Sequence, residues 1–264
     1  MKILQKSLVV LLLLVITGGL LVWFLPARLA LLWIKPPHNL RLQQVHGLLW
    51  DGSGQLVTAS GQPLGQLNWV LPRAAMLGKV QLQADFSGPQ LDFSGSMQKH
   101  PDGQVEWRDV RARVDLALLD RYAALPMGQP RGELHITVAR ALLEGGWPMQ
   151  LAATAQWSDA AMHRPGGDIA LGSLALEAHS SNGVIAAQLH DDGHGPLAAV
   201  AALQLSPLGW RLDGTLRSRQ TEPGLSHWLD RLGLGHPDAS GAVQIQHSGG
   251  MAIGLPAATP SRTP

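Results

Sequence analysis

The densest cluster of groups able to hold a metal ion is His190-Asp191-Asp192-Gly193-His194, with two imidazoles and two carboxylates inside five residues. Nitrogen and oxygen donors of this kind suit a divalent cation. The same Asp-Asp-Gly run, followed by small residues, is also the composition of a solvated turn. The turn is the reading adopted, and no metal is assigned. The remaining histidines, among them His100, His135, His163 and His179, are scattered along the chain. A second charged cluster, Arg108-Asp109-Val110-Arg111-Ala112-Arg113-Val114-Asp115, alternates charge with apolar residues. It is read as the polar face of a sheet with cross-strand ion pairs; a surface for an acidic partner is the alternative.

Chemistry beyond this is sparse. No GxSxG, HExxH, P-loop or GxGxxG pattern occurs. The chain has no cysteine, which removes disulfides, thiolate metal sites and thiol nucleophiles. The formal net charge is +1, with no field of either sign to draw a polyanion. The nine tryptophans do not interleave with a basic stripe, so nucleic acid is not expected as a partner. The sequence assigns no catalytic residue, no cofactor and no enzymatic activity.

The elements that carry these residues read as strands. Charged residues make up 15% of the 264, well below the roughly 25% of soluble domains, while 30 glycines and 18 prolines mark many turns. Over Lys79–Phe86, Val80, Leu82, Ala84 and Phe86 alternate with polar residues, a period of two. Val110–Leu116 repeats it, and shorter strands are expected at Gln104–Trp107, Gly132–Val138, Gly172–Ala178, Val184–Leu189, Leu203–Leu205, Trp210–Leu216 and Gly241–Gln246. Leu225, Trp228, Leu229 and Leu232 fall on one face of a short helix, with Leu118–Ala124 as a weaker counterpart.

Leu8 to Leu25 carries no charge. As a helix it would rise roughly 27 Å, close to the hydrocarbon core of a bilayer. Lys2 and Lys6 precede it, Trp23 stands near its far end, and Pro26 ends it. The positive flank is expected in the cytoplasm and the rest of the chain beyond the membrane.

The remainder echoes itself. Trp50 and Leu64-Gly65-Gln66-Leu67 are matched by Trp157 and Leu171-Gly172-Ser173-Leu174. Leu119-Asp120-Arg121 returns as Leu229-Asp230-Arg231, and Gly132-Glu133-Leu134-His135-Ile136 as Gly241-Ala242-Val243-Gln244-Ile245. The order is the same throughout, at an offset of about 107 to 110 residues, the pattern of an internal repeat. The organisation expected is a cytoplasmic tip and transmembrane helix over 1–27, β units over 28–146 and 147–248, and a disordered tail over 249–264. The fold class is mainly β: an elongated, curved antiparallel sheet of two repeated units, each with one short helix.

Val45-His46-Gly47-Leu48-Leu49-Trp50-Asp51-Gly52, then Gly61-Gln62-Pro63-Leu64-Gly65-Gln66-Leu67-Asn68-Trp69-Val70-Leu71-Pro72, then Met76-Leu77-Gly78-Lys79-Val80 form an ordered set. It resembles the type II secretion system protein N family. Pro130-Arg131-Gly132-Glu133-Leu134 and the Trp157 region extend the likeness to about residue 247. The resemblance implies an accessory subunit in the inner membrane, single-pass, with a periplasmic domain, supporting export of folded proteins across the outer membrane. Its implied partners are other secretion subunits, the inner-membrane platform and the secretin. It carries over no catalytic residue. From the residues alone, Trp50 and Trp69 are packing groups, and Gly47, Gly52, Gly65 and Gly78 serve turns or close backbone approach. A second reading stays open: a membrane-anchored, lipid-binding or lipid-bridging protein of the AsmA-like kind. An apolar groove lined by Val80, Leu82 and Phe86 would favour it; a filled core would favour a scaffold.

Overall fold

A computed structural model describes residues 25–30, 40–58, 61–121, 128–219, 223–231, 238 and 241–250. The expected transmembrane span over 8–25 lies outside these, apart from Leu25. So do residues 251–264 of the expected tail. Among the described residues, no helix is long and apolar enough to cross a membrane.

The chain divides into two compact units, Met1–Asp102 and Gly103–Pro264. The first holds a four-residue helix α1 (Ala27–Ala30) and strands β1 (Leu40–Gly47), β2 (Asp51–Thr58), β3 (Pro63–Val70), β4 (Gln81–Ser87) and β5 (Leu91–Lys99). Each strand pairs antiparallel with the next. A 3-10 helix at Arg73–Leu77 joins β3 to β4.

The second unit holds β6 (Val105–Asp115), a 3-10 helix at Leu116–Arg121, β7 (Gln129–Glu144), β8 (Trp147–Arg164), β9 (Gly167–Ser181), β10 (Val184–Asp191), β11 (Leu197–Ser206), β12 (Gly209–Ser218), α2 (Pro223–Arg231) and β13 (Ala242–Gly250). These strands too pair antiparallel in chain order. Two-residue turns set the registers. Gly145-Gly146 and Asn182-Gly183 both take positive φ at both positions, the conformation whose twist suits a tight hairpin.

A mainly β, antiparallel fold is thus observed as expected. The strands run longer than the alternation suggests. Gln104–Trp107 and Val110–Leu116 are parts of one strand, β6, continuous through Asp109 at φ 52°. Gly249 and Gly250, placed in the tail by composition, pair with Trp210 and Gly209 as the end of β13. Strand β8 is the longest at 18 residues, and its sequence shows little alternation. Register shifts against both neighbours interrupt its period of two.

The core of the second unit is closed by α2. Leu225, Trp228 and Leu229 are buried, Leu225 at 0% exposure, as the helical spacing requires. They share one buried cluster with Met162 of β8, Leu171 and Leu174 of β9, Leu197 and Ala199 of β11, Leu216 of β12 and Val243 of β13. Pro223 opens the helix, where its missing N–H costs nothing. The 3-10 helix at 116–121 is tied to β7 through Arg131, whose Nη1 and Nη2 donate to the two oxygens of Asp120 at 2.7 Å each.

Candidate interaction surfaces

In the first unit, alternation separates two faces cleanly. Gln55, Gln66, Asn68, Gln83, Asp85, Ser94 and Ser96 lie on one, neighbours across successive strand pairs. The other face is apolar and hollow. Leu42, Leu67, Trp69, Leu82 and Met97 rise around residues too small to fill the space between them. Gly52 pairs with Trp69, Trp69 with Ala84, and Ala84 with Gly95, so this row has one large side chain in four positions. The result is a groove of about 410 Å³, lined also by Leu49, Leu71 and Val80 and by Ala27 of α1.

The glycines expected at turns divide into two kinds. Gly47 and Gly78 do take positive φ, 81° and 82°. Gly52 and Gly65 stand inside β2 and β3, Gly65 with φ 158°, and at both what matters is room. A Cβ on Gly52 would lie 2.5 Å from the Trp69 ring, and one on Gly65 would lie 2.6 Å from the Phe86 ring. The Trp69 indole crosses Gly52 and donates to the Leu49 carbonyl at 3.1 Å. Trp50 is buried, in line with its packing role. Of the groove residues expected from sequence, Val80 and Leu82 line it, whereas Phe86 is buried beside Gly65 and Gly88.

The Arg108–Asp115 segment lies in β6, with mixed charge along the strand. Arg113 Nη1 donates to Glu133 Oε1 across the strands at 2.9 Å, and Glu133 Oε2 lies 3.2 Å from His135 Nε2. Sequence reading missed the charge that matters most here. Glu106 is 1% exposed, the one buried charged residue among those described. Its Oε2 accepts from Arg108 Nη2 at 2.9 Å. Its Oε1 forms an ion pair with Arg140 Nε at 2.6 Å. Both arginine side chains remain about half exposed, at 54% and 53%. A Glu two residues before an Arg, opposite a strand carrying a second Arg, was the available signal.

In the His190–His194 segment, His190 and Asp191 end β10 and a bend follows from Gly193. Asp192 Oδ1 accepts the backbone N–H groups of His194 and Gly195, at 2.9 and 3.2 Å. Asp191 accepts from Gly193 N–H at 2.8 Å and Ala199 N–H at 2.7 Å, and pairs with Arg219 Nη2 at 2.5 Å. Burial pushes the Asp191 carboxyl up, but the Ala199 N–H, Arg219 and the Gly193 N–H outweigh it and hold it below the usual range. Among the described residues, no three His, Cys, Asp or Glu side chains converge as metal ligands would.

The family model described as "Type II secretion system (T2SS), protein N" matches residues 38–246, well over half the chain. The chain belongs to the type II secretion system protein N family. A Klebsiella pneumoniae relative of that name is 29% identical over 212 residues, covering 78% of this chain and 82% of the relative. One from Aeromonas hydrophila is 26% identical over 258 residues, covering 93% and 98%. A third, from Vibrio cholerae serotype O1, is 30% identical over 161 residues, covering 58% and 62%. No solved structure matches. For the protein N family, the Gly47–Gly52 and Leu64–Pro72 elements thus have a physical meaning in this chain: they build the hollow apolar face of the first unit.

Proposed function

We propose that this chain is a membrane-tethered, non-enzymatic assembly subunit of a type II secretion system. The match to protein N across residues 38–246 carries the reading. The uncharged stretch Leu8–Leu25 supports a single transmembrane helix, with the short positive flank in the cytoplasm and both units in the periplasm. In this reading the polar strand β6 and its neighbour β7 meet other secretion subunits, the inner-membrane platform and the secretin.

Two copies of one β unit, about 28–146 and 147–248, remain part of the proposal. Supporting it, Gly65 closely approaches Gly88, and Gly172 closely approaches Gly195, with the same spacing along the chain within each pair. The test is a photo-crosslinking residue at Arg111 in cells lacking the native copy. Restored export together with adducts to secretion subunits supports the assignment. Unimpaired export without the protein would overturn it.

The hollow face favours a second reading, in which the chain binds a lipid. A groove of about 410 Å³ walled by Leu, Val, Met and Trp side chains suits an acyl chain and offers no polar group to orient a solute. Ala84→Phe fills its floor. Native mass spectrometry of the purified full chain is expected to show a bound phospholipid that this variant loses. A wild-type chain that carries no lipid removes this reading and leaves the first intact.

A further inference from the structure

The connection between β3 and β4 presents apolar side chains to solvent from a hydrogen-bonded frame. Ala75 N–H donates to Pro72 O at 2.9 Å, Gly78 N–H to Ala75 O at 3.1 Å, and Lys79 N–H to Ala74 O at 3.2 Å. Gly78 takes φ 82°, which turns the chain directly after Leu77. On this frame Leu77 is 84% exposed and Met76 44%. Single exposed apolar residues are ordinary. The location is what distinguishes these two.

Leu49 N–H donates to the carbonyl of Leu25 at 2.9 Å, and Leu71 N–H donates to the carbonyl of Trp50 at 2.7 Å. Pro26 bridges to Leu48. The loop therefore rises from the same end of the first unit at which the chain arrives from Leu8–Leu25. Arg73 and Lys79 flank the apolar pair, and no carboxylate occurs between Pro72 and Ala84. Asp51, the first residue of the neighbouring β2, is the acidic residue nearby in the chain's β1–β2 hairpin. Apolar side chains at the tip with cations beside them match the layering of a bilayer interface: hydrocarbon below, anionic headgroups above.

We infer that the Arg73–Lys79 loop docks into the surface of the membrane from which the chain emerges, with Leu77 and Met76 in the acyl boundary and Arg73 and Lys79 among anionic headgroups. This rests on the reading that Leu8–Leu25 crosses the bilayer. Docking would fix the orientation of the first unit against the membrane.

The chain lacks cysteine, so a single Leu77→Cys variant can carry an environment-sensitive dye. Pro89→Cys, in the β4–β5 turn at the opposite end of the same unit, is the reference. The full chain is reconstituted into vesicles of phosphatidylethanolamine and phosphatidylglycerol. The expected result is blue-shifted emission at position 77, quenched by brominated acyl chains, with position 89 solvent-like and unquenched. Co-flotation of the protein with solvent-like emission at 77 overturns the inference alone. A blue shift at 77 that brominated lipid does not quench assigns the loop to a second copy of the chain and also overturns it. Failure to co-float overturns the anchor and the inference together.

Discussion

At the scale of single residues, buried charge decides most. Glu106 is held by two arginines whose heads reach water, so the pair is asymmetric. Removing the carboxylate with Glu106→Met leaves two cations that solvent can serve. Removing the arginines with R108M/R140M strips compensation from a buried anion, which is the costlier defect. The double variant is expected to have the lower urea midpoint, and the reverse order would refute the asymmetry. Asp191 gives a pH signature. Its folded carboxyl is held below the unfolded value of about 3.9. The stabilisation is therefore complete above that range and lost as pH falls through the lower folded value. The stability gap between wild type and Asp191→Asn should narrow from pH 7 to pH 3; a gap constant with pH excludes the carboxylate as its source. At Gly52, a side chain meets the Trp69 ring, so Gly52→Val should cost about 1–3 kcal/mol by overpacking.

At the scale of elements, α2 supplies what the second unit lacks as a bare sheet. Its three buried side chains belong to one cluster with residues of five strands. Leu225→Ala removes a fully buried side chain and is expected to cost about 2–5 kcal/mol. A shift in denaturation midpoint within the range of a surface substitution would mean that the helix does not seal this core. Helix spacing was legible because Leu225, Trp228 and Leu229 repeat at the helical period in a polar context. Strand β8 was not legible. Its register shifts and the positive φ of Asp159 break the alternation that betrays a strand, and only pairing on both sides keeps it extended.

At the scale of the whole molecule, the two units should differ in resilience. The second has an apolar face covered by a helix; the first has one left open as a groove. Less apolar surface is buried per residue in the first, so β1–β5 should exchange backbone hydrogens faster than β9–β12 under native conditions. Equal protection would show that the groove is occupied or covered in solution.

The residues by themselves determined the class of the protein. Alternation gave the sheet, and the Gly-Trp-Leu elements pointed to the family. These are local or ordered signals, readable along one line of sequence. Tertiary structure alone decided which apolar face is filled and which is hollow. That depends on which small residues of different strands stand side by side. Gly52 and Ala84 are unremarkable in isolation; strand register places them on either side of Trp69, whose ring lies over Gly52 and which lines the groove together with Ala84.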